Sequence, residues 1–218
     1  MRNFHGRRGH LERQFAERVL RTPRYQTINR NGVCHMEQDT IVLLKKDLLR
    51  MRCLAAARSL GLKDWYLAAG FLRNAIWDHL HKLAQATPLN DVDLVYFDSE
   101  DTSEERDKEI EAKLRKMVPG VKWEVKNQAR MHLHNQHDPY RDTADAISHW
   151  VEVPTCVGVR LEHLDKFKFT AKFGLLENWS MQVRPNPDVR YAEDIFVSRV
   201  YGKRWHRIWP MLQISALQ

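Results

Sequence analysis

Apolar side chains recur three or four residues apart in the stretch that follows Met36. They are Ile41, Leu44, Leu48, Met51 and Ala55. This spacing aligns them along one face of an α-helix, and Gly61 stands where such a helix would end. The pattern predicts one long amphipathic helix that packs against a sheet.

A different pattern follows, in which a short apolar run, residues 65–69, ends at Gly70. Helical spacing then resumes at Phe71, Leu72, Ile76, Trp77 and Leu80. Apolar runs of this length are typical of buried strands, and a glycine marks a tight turn. The segment therefore predicts a strand, a glycine turn and a helix.

Residues 91–97 are rich in β-forming side chains and lead into an acidic loop, residues 98–101. Thr102 and Glu105 have the spacing of a capping box, which predicts a helix that continues to about Met117. Next, Val121, Trp123 and Val125 alternate with polar residues, as in a strand with one buried face.

The remaining third of the chain has weaker signals. A short helix capped by Thr143, strands at 155–161 and 179–183, and a closing helix over 192–209 are predicted. Together the elements predict an α/β (α+β) fold, with a small mixed sheet flanked by helices.

Composition supports one globular domain with a small appendage. The chain has 218 residues, of which 43% are hydrophobic and 29% charged, and this is enough apolar material for a core. No run approaches the roughly 20 apolar residues of a membrane helix. Three cysteines at no metal-like spacing favour reduced thiols, so a cytoplasmic protein without a membrane partner is expected.

The net charge of +7 is concentrated at one end of the chain. Residues 1–35 hold eight of the 35 basic residues and two of the 28 acidic ones, which leaves 27 and 26 for the rest. The body of the protein is therefore nearly neutral, and its charge is no evidence that the fold binds polyanions.

Residues 1–35 are predicted to be a basic, poorly ordered N-terminal arm, followed by a domain over residues 36–218. The arm can be a phosphate-contacting segment, a targeting segment, or an extension upstream of a start at Met36. Glu12 and Glu17 weaken the targeting alternative, because such segments are poor in acids.

The strongest chemical signal is Asp91-Val92-Asp93 at the start of the second predicted strand. Residues two apart on a strand share a face, about 7 Å apart along the chain. Two carboxylates placed in this way can bind Mg²⁺ or Mn²⁺ and leave positions for water and substrate phosphates. An acidic pair alone is a weak signal, since many such pairs only face water.

The preceding turn strengthens this signal. Gly70 allows close approach of a phosphate, and the helix that begins at Phe71 would point its amides at it. Glu124, on the third strand, can add a third carboxylate. The predicted metal ligands and catalytic residues are thus Asp91, Asp93 and Glu124.

These features resemble the polymerase-β-like nucleotidyltransferases, in which a glycine turn and helix precede an Asp-x-Asp strand and a later strand adds a carboxylate. Residues 69–74 are similar to the head of the CCA-adding enzymes, and the chain as a whole most resembles a bacterial nucleotidyltransferase-like family, over about Met36 to Leu212. Four segments carry that match: Ala69-Gly70-x-x-Arg73-Asn74-x-x-Trp77-Asp78, Asp91-Val92-Asp93-x-Val95-Tyr96-Phe97-Asp98, Trp123-x-Val125-Lys126-Asn127-Gln128-Ala129-Arg130-Met131-His132, and Lys203-x-Trp205-x-x-x-Trp209-Pro210.

The resemblance implies a polymerase-β-like core that transfers a nucleoside monophosphate from an NTP, with ATP as one candidate, to a hydroxyl. The acceptor (RNA, protein or small molecule) and the oligomeric state stay open. The residues expected to bind the NTP are Gly70, Phe71, Arg73, Asn74 and Lys126. Phe71 and Asn74 depart from the superfamily pattern, which has a small residue and an Asp there, and this bears on triphosphate binding.

Two other functions fit the same residues. The fold can be an inactive reader of nucleotides or RNA, which would bind nucleotide without metal. The Asp-x-Asp pair can also belong to a sugar-nucleotide glycosyltransferase, but there the pair usually follows an apolar strand, whereas here Asp91 opens one.

Two further groups of side chains have less specific patterns. His132, His134 and His137 have a spacing that can bind zinc, but no cysteine or acidic partner accompanies them, so a polar loop is preferred. Four tryptophans can stack bases, but helical spacing favours the core for most of them: Trp150, Trp179, Trp205 and Trp209.

Overall fold

The computed structural model describes residues 32–190 and 192–215. Most of the predicted N-terminal arm, residues 1–31, lies outside the described residues. Nine helices and seven strands are present in the described ranges, numbered here in chain order.

A mixed sheet of five strands forms the centre of the fold. The strands are β1 (Trp65–Ala68), β2 (Val92–Tyr96), β3 (Trp123–Asn127), β4 (Val157–Leu161) and β5 (Phe167–Ala171). Their order is β3-β2-β1-β4-β5, with β2 and β3 parallel and the other neighbours antiparallel. The predicted small mixed sheet is confirmed.

Helices cover this sheet. They are α1 (Gly32–Lys46), α2 (Leu48–Ser59), α3 (Gly70–Leu80), α4 (Glu104–Met117), α5 (Gln128–Asn135), α6 (Thr143–Ser148), α7 (Leu176–Trp179), α8 (Ala192–Gly202) and α9 (Trp205–Ile208). Two 3₁₀ turns (Val153–Thr155 and His163–Asp165) and a small parallel pair, β6 (Gln182–Val183) with β7 (Gln213–Ile214), complete the described elements.

The two faces of the sheet have different roles. One face carries the large buried side chains, among them Trp65, Leu94 and Trp123, which pack in the main core with apolar residues of α2, α3 and α4. On the other face a small cluster joins Tyr66, Ala68 and Val95 to Ile147 of α6. Strand alternation then puts Asp93 of β2 on this second face, because it shares the parity of Val95.

The predicted helix over the 41–61 stretch is two helices. Asp47 interrupts it with an extended backbone, and its side chain accepts a hydrogen bond from the Arg50 amide, 3.0 Å away, as the N-cap of α2. The predicted closing helix is likewise divided, because Arg204 has a left-handed backbone with φ of 55°.

Two predicted N-caps are also wrong by one residue. Ser103, not Thr102, caps α4, and Asp142, not Thr143, caps α6 through the Asp145 amide at 2.7 Å. The Thr143 hydroxyl is used elsewhere, since it donates to the Asp64 carbonyl oxygen.

The C-terminal helices dock on α3 through tryptophans. The Trp77 ring meets those of Trp205 and Trp209 edge to face, with centroids 5.5 and 5.1 Å apart. Beside it, Asp78 accepts hydrogen bonds from Trp209 Nε1 at 2.8 Å and from the Thr87 amide at 2.8 Å. The preference for Trp205 and Trp209 as core residues agrees with their 2% exposure.

Within the described ranges, no helix is both long and apolar enough to cross a membrane.

We expect Asp78→Ala to lower the free energy of unfolding by about 2–4 kcal/mol, because the buried Trp209 Nε1–H and the partly buried Thr87 N–H lose their acceptor. Urea denaturation measures this. The matched control, Asp138→Ala at an exposed position, should change it by less than about 0.5 kcal/mol. Equal losses in the two variants would contradict the docking role of Asp78.

Candidate active site

An open cleft of about 910 Å³ lies at the second face of the sheet. It is bordered by α3, by the start of β2, by β3 and by the C-terminal helices. Seven of the eight residues predicted for the site line it: Gly70, Arg73, Asn74, Asp91, Asp93, Glu124 and Lys126. The eighth, Phe71, is only 1% exposed and packs in the main core, so its side chain does not line the cleft.

The carboxylates are brought together by the register of the parallel strands. Asp93 of β2 is paired directly with Glu124 of β3, and neighbouring strands are about 4.8 Å apart. Asp91 precedes β2 by one residue and has the same parity as Asp93. All three carboxylates therefore belong to one face of the sheet, at one end of the cleft.

The proximity of these charges perturbs Asp93. Burial, and then the negative charges of Asp91 and Glu124, raise the pKa of Asp93 to about 6, against the smaller opposing effects of Lys203 and Arg73. In such surroundings, a positive charge added nearby stabilises the ionised form of the carboxyl group.

Glu124 faces both the cleft and a basic neighbour. Its Oε1 accepts a hydrogen bond from Lys122 Nζ at 2.7 Å. In the described part of the chain, no three His, Cys, Asp or Glu side chains are gathered as a metal ion would need them. Glu124 would have to leave Lys122 to join Asp91 and Asp93 on one ion.

Arg73 is a buried cation without a carboxylate partner at hydrogen-bond distance among the described residues. It is 5% exposed, and its guanidinium lies 4.3 Å from the ring centroid of Trp205 and 5.1 Å from that of Trp77. Burial lowers the pKa of Arg73 to about 10, partly offset by Glu152 and Asp93. The group stays charged at neutral pH, and its charge is available to a phosphate.

Asn74 holds that guanidinium in place. Its Oδ1 accepts hydrogen bonds from Arg73 Nε at 3.2 Å and Nη2 at 3.0 Å. The amide orients the arginine without neutralising it, which an Asp at this position would do.

The turn before α3 works differently from the prediction. The unusual backbone belongs to Ala69, with φ of 49°, and not to Gly70. Gly70 is the first residue of α3, and a Cβ built there would lie 3.4 Å from Arg73 Nη2. This distance is an ordinary van der Waals contact, so the Arg73 guanidinium lies directly against Gly70.

Three cations that line the cleft were missing from the predicted site residues: Arg190, Arg199 and Lys203. Arg199 belongs to α8, and Lys203 follows its last residue. Burial, and then the positive charges of Arg199 and Arg73, lower the pKa of Lys203. Arg199 is paired with the fully buried Glu152. The Lys203-x-Trp205 segment was the only sequence signal for this group of cations. Their positions in the cleft depend on the docking of helices that are distant in the sequence.

The Lys126-Asn127-Gln128 segment is mainly structural. Asn127 is fully buried, and its Nδ2 donates to the carbonyl oxygens of Asp98 at 2.7 Å and Asp101 at 2.8 Å. Lys126 is exposed and lies opposite Val95, two residues beyond the Asp93–Glu124 pair. Lys126 therefore lies on the same face of the sheet as Asp93 and Glu124, two residues farther along the strands.

The fold and cleft together define a class. A mixed sheet whose parallel pair presents carboxylates toward a glycine-led helix is the core of the polymerase-β-like nucleotidyltransferases, as the sequence resemblance predicted.

The comparisons with known proteins agree. A family described as nucleotidyltransferase matches residues 55–214. The chain is also similar to a solved structure described as "The NMR structure of the protein reveals a CCA-adding enzyme head domain", with 34% identity and a TM-score of 0.73. That similarity covers 83% of this chain and 96% of the other. No curated protein matches.

The chain therefore belongs to the nucleotidyltransferase family, and the expected enzyme class is confirmed. The glycosyltransferase alternative loses its support, because both comparisons lead to nucleotidyltransferases.

We expect the carboxyl carbon of Asp93 in metal-free protein to titrate with a pKa of about 6 by NMR. Asp91→Asn should move this pKa toward the ordinary Asp range, since it removes a neighbouring negative charge. Asp138→Asn, distant in sequence and exposed, should leave it unchanged. An Asp93 pKa near 4 in the wild type would contradict the described carboxylate cluster.

Proposed function

We propose that this nucleotidyltransferase moves a nucleoside monophosphate from an NTP to a hydroxyl acceptor in a reaction that depends on Mg²⁺ or Mn²⁺. The observation that carries the proposal is one cleft in which Asp91 and Asp93 lie near the cations Arg73 and Lys203. A triphosphate with a divalent ion complements that arrangement of charges.

The carboxylates fit a divalent cation. They are hard oxygen donors, and burial, followed by the charges of Asp91 and Glu124, raises the pKa of Asp93. Asp91 and Asp93 would hold one ion on the triphosphate, and these two together with Glu124, once released from Lys122, a second. Bound ions of this kind neutralise phosphate charge and lower the pKa of an attacking hydroxyl.

Arg73 and Lys203 would bind the phosphates. Trp205 and Asn74 fix the planar guanidinium of Arg73, which suits a pair of phosphate oxygens. Lys203 lies close enough to the carboxylates to interact with them electrostatically. The charge of Asp91 acts to raise the pKa of Lys203, and the charge of Lys203 acts to lower the pKa of Asp93. The backbone N–H groups of Gly70 and Phe71 at the start of α3 would add neutral donors.

The chemistry is a displacement at the α-phosphorus. The acceptor hydroxyl would give its proton to solvent water while its oxygen bonds to the α-phosphorus, and the bond from that phosphorus to the bridging oxygen would break, so that pyrophosphate leaves. Arg73 and Lys203 would stabilise the negative charge that builds up on the leaving pyrophosphate.

We also propose a cytoplasmic location. Cys53 and Cys156 are buried free thiols, and burial raises their pKa values to about 11 and about 12. Unreactive reduced cysteines suit a reducing compartment.

Asp91→Asn or Asp93→Asn should lower the Mg²⁺-dependent release of pyrophosphate from NTP at least about a hundredfold, because metal binding supplies several kcal/mol of charge stabilisation. A coupled pyrophosphate assay with cell extract as acceptor source measures this. Asp165→Asn, on an exposed turn, is the control. Unchanged turnover in both cleft variants would remove the carboxylates from the mechanism.

The same variants test the inactive-reader alternative. If the fold only reads nucleotides, wild-type protein should bind NTP equally well with and without Mg²⁺, and that binding should survive in Asp93→Asn.

We expect Lys203→Gln to raise the KM for NTP about tenfold, the effect of losing one charge-assisted hydrogen bond. Lys113→Gln is the matched control, because Lys113 is exposed on α4 and does not line the cleft; no change in KM is expected. Steady-state kinetics measures both. An equal rise in KM in the two variants would contradict a phosphate contact of Lys203.

A further inference from the structure

One wall of the cleft carries no formal charge. The residues between positions 127 and 155 that line it are Gln128, Met131, His134, Asn135, His137, His149, Trp150, Val151 and Thr155. None is Asp, Glu, Lys or Arg. The wall contrasts with the rest of the cleft, where Arg73, Lys203 and the carboxylates lie, so it suits an uncharged part of a ligand.

Among the described residues, His137 is hydrogen-bonded through Nδ1. Asn135 Nδ2 donates to the Tyr140 hydroxyl oxygen at 3.2 Å, and that hydroxyl lies 2.6 Å from His137 Nδ1. We assign the hydroxyl proton to this second contact, because the Asn135 amide already occupies one lone pair of the oxygen. With this assignment Nδ1 accepts, and the proton of the neutral ring is on Nε2.

His149 has the opposite tautomer. Its Nδ1 lies 2.8 Å from the Asp145 carbonyl oxygen, which can only accept. Nδ1 therefore carries the proton, and Nε2 of the neutral ring is an acceptor. Within the described residues, neither Nε2 atom has a hydrogen-bond partner.

The two rings are neighbours, with centroids 5.4 Å apart. Burial, and then the neighbouring His149, lower the pKa of His137, which keeps the ring uncharged at neutral pH. A hydroxyl oxygen lies about 2.8 Å from each hydrogen-bond partner, and two rings at this distance that both line the cleft are close enough to share one hydroxyl group.

We propose that His137 and His149 bind a hydroxyl group that is carried by an uncharged ring. His137 Nε2 donates a hydrogen bond to the hydroxyl oxygen, and the hydroxyl group donates its proton to His149 Nε2. The inference rests on the proposed function, because that function supplies two ligands with such groups: the ribose of the NTP and the acceptor. A phosphate fits this pair poorly, since it offers no proton to His149.

The spacing of His132, His134 and His137 led to zinc as an alternative in the sequence. Within the described ranges, these side chains do not form a group of three possible metal ligands, and the Nδ1 atom of His137 lies at hydrogen-bond distance from the Tyr140 hydroxyl.

The test is calorimetric titration of wild type, His137→Phe and His149→Phe with each of the four common NTPs and with inorganic tripolyphosphate, all in the presence of Mg²⁺. Phe keeps the ring packing and removes the nitrogens. In parallel, transfer of label from α-³²P NTPs at saturating concentration into cell-extract acceptors is measured.

If the ribose is the source, the variants bind an NTP about tenfold more weakly, as expected for one lost hydrogen bond, and bind tripolyphosphate as wild type does. If the acceptor is the source, NTP binding is unchanged and labelling of acceptors falls about tenfold. Unchanged binding and labelling overturn the proposal, as does an equal loss of NTP and tripolyphosphate binding.

Two further variants control for folding. His149→Gln keeps an amide oxygen that can accept, and should retain most of the affinity. His163→Phe, on the turn between β4 and β5, should behave as wild type. If wild-type protein binds neither NTP nor tripolyphosphate, the proposed nucleotidyl transfer fails first, and this result is distinct from a failure of the histidine pair alone.

Discussion

The central constraint in this structure is that the sheet holds three carboxylates of like charge together on one face. The parallel register of β2 and β3 sets Asp93 beside Glu124, and Asp91 shares their side. Burial, and then the repulsion of Asp91 and Glu124, raise the pKa of Asp93. A cationic ligand would relieve both effects, and this supports the proposed binding of metal-bound phosphates in the cleft.

The C-terminal helices complete the cleft from the opposite side. Trp205 packs against Trp77 and stacks on Arg73, while Asp78 anchors Trp209. The same docking brings Lys203 to the carboxylates. Tryptophans that pattern analysis assigns to the core therefore also position a cation, and the structural and chemical roles of this segment are inseparable.

What the sequence predicted well is local. The alternation of residues 121–126 and the glycine before Phe71 are properties of neighbouring residues, and the elements they predict are present. Predictions failed where side chains competed for the same role, as with Ser103 and Thr102, or where one residue broke a helix, as Asp47 and Arg204 do. β5 and α5 were missed, and the contribution of Lys203 needed contacts across more than a hundred residues.

The most direct test of the central claim is a crystal structure of the protein with Mn²⁺ and a non-hydrolysable NTP analogue, with the metal located by its anomalous scattering. The account predicts manganese within about 2.0–2.3 Å of carboxylate oxygens of both Asp91 and Asp93, with analogue phosphates on the side of Arg73. Manganese bound elsewhere, or an analogue seated away from these aspartates, would contradict it.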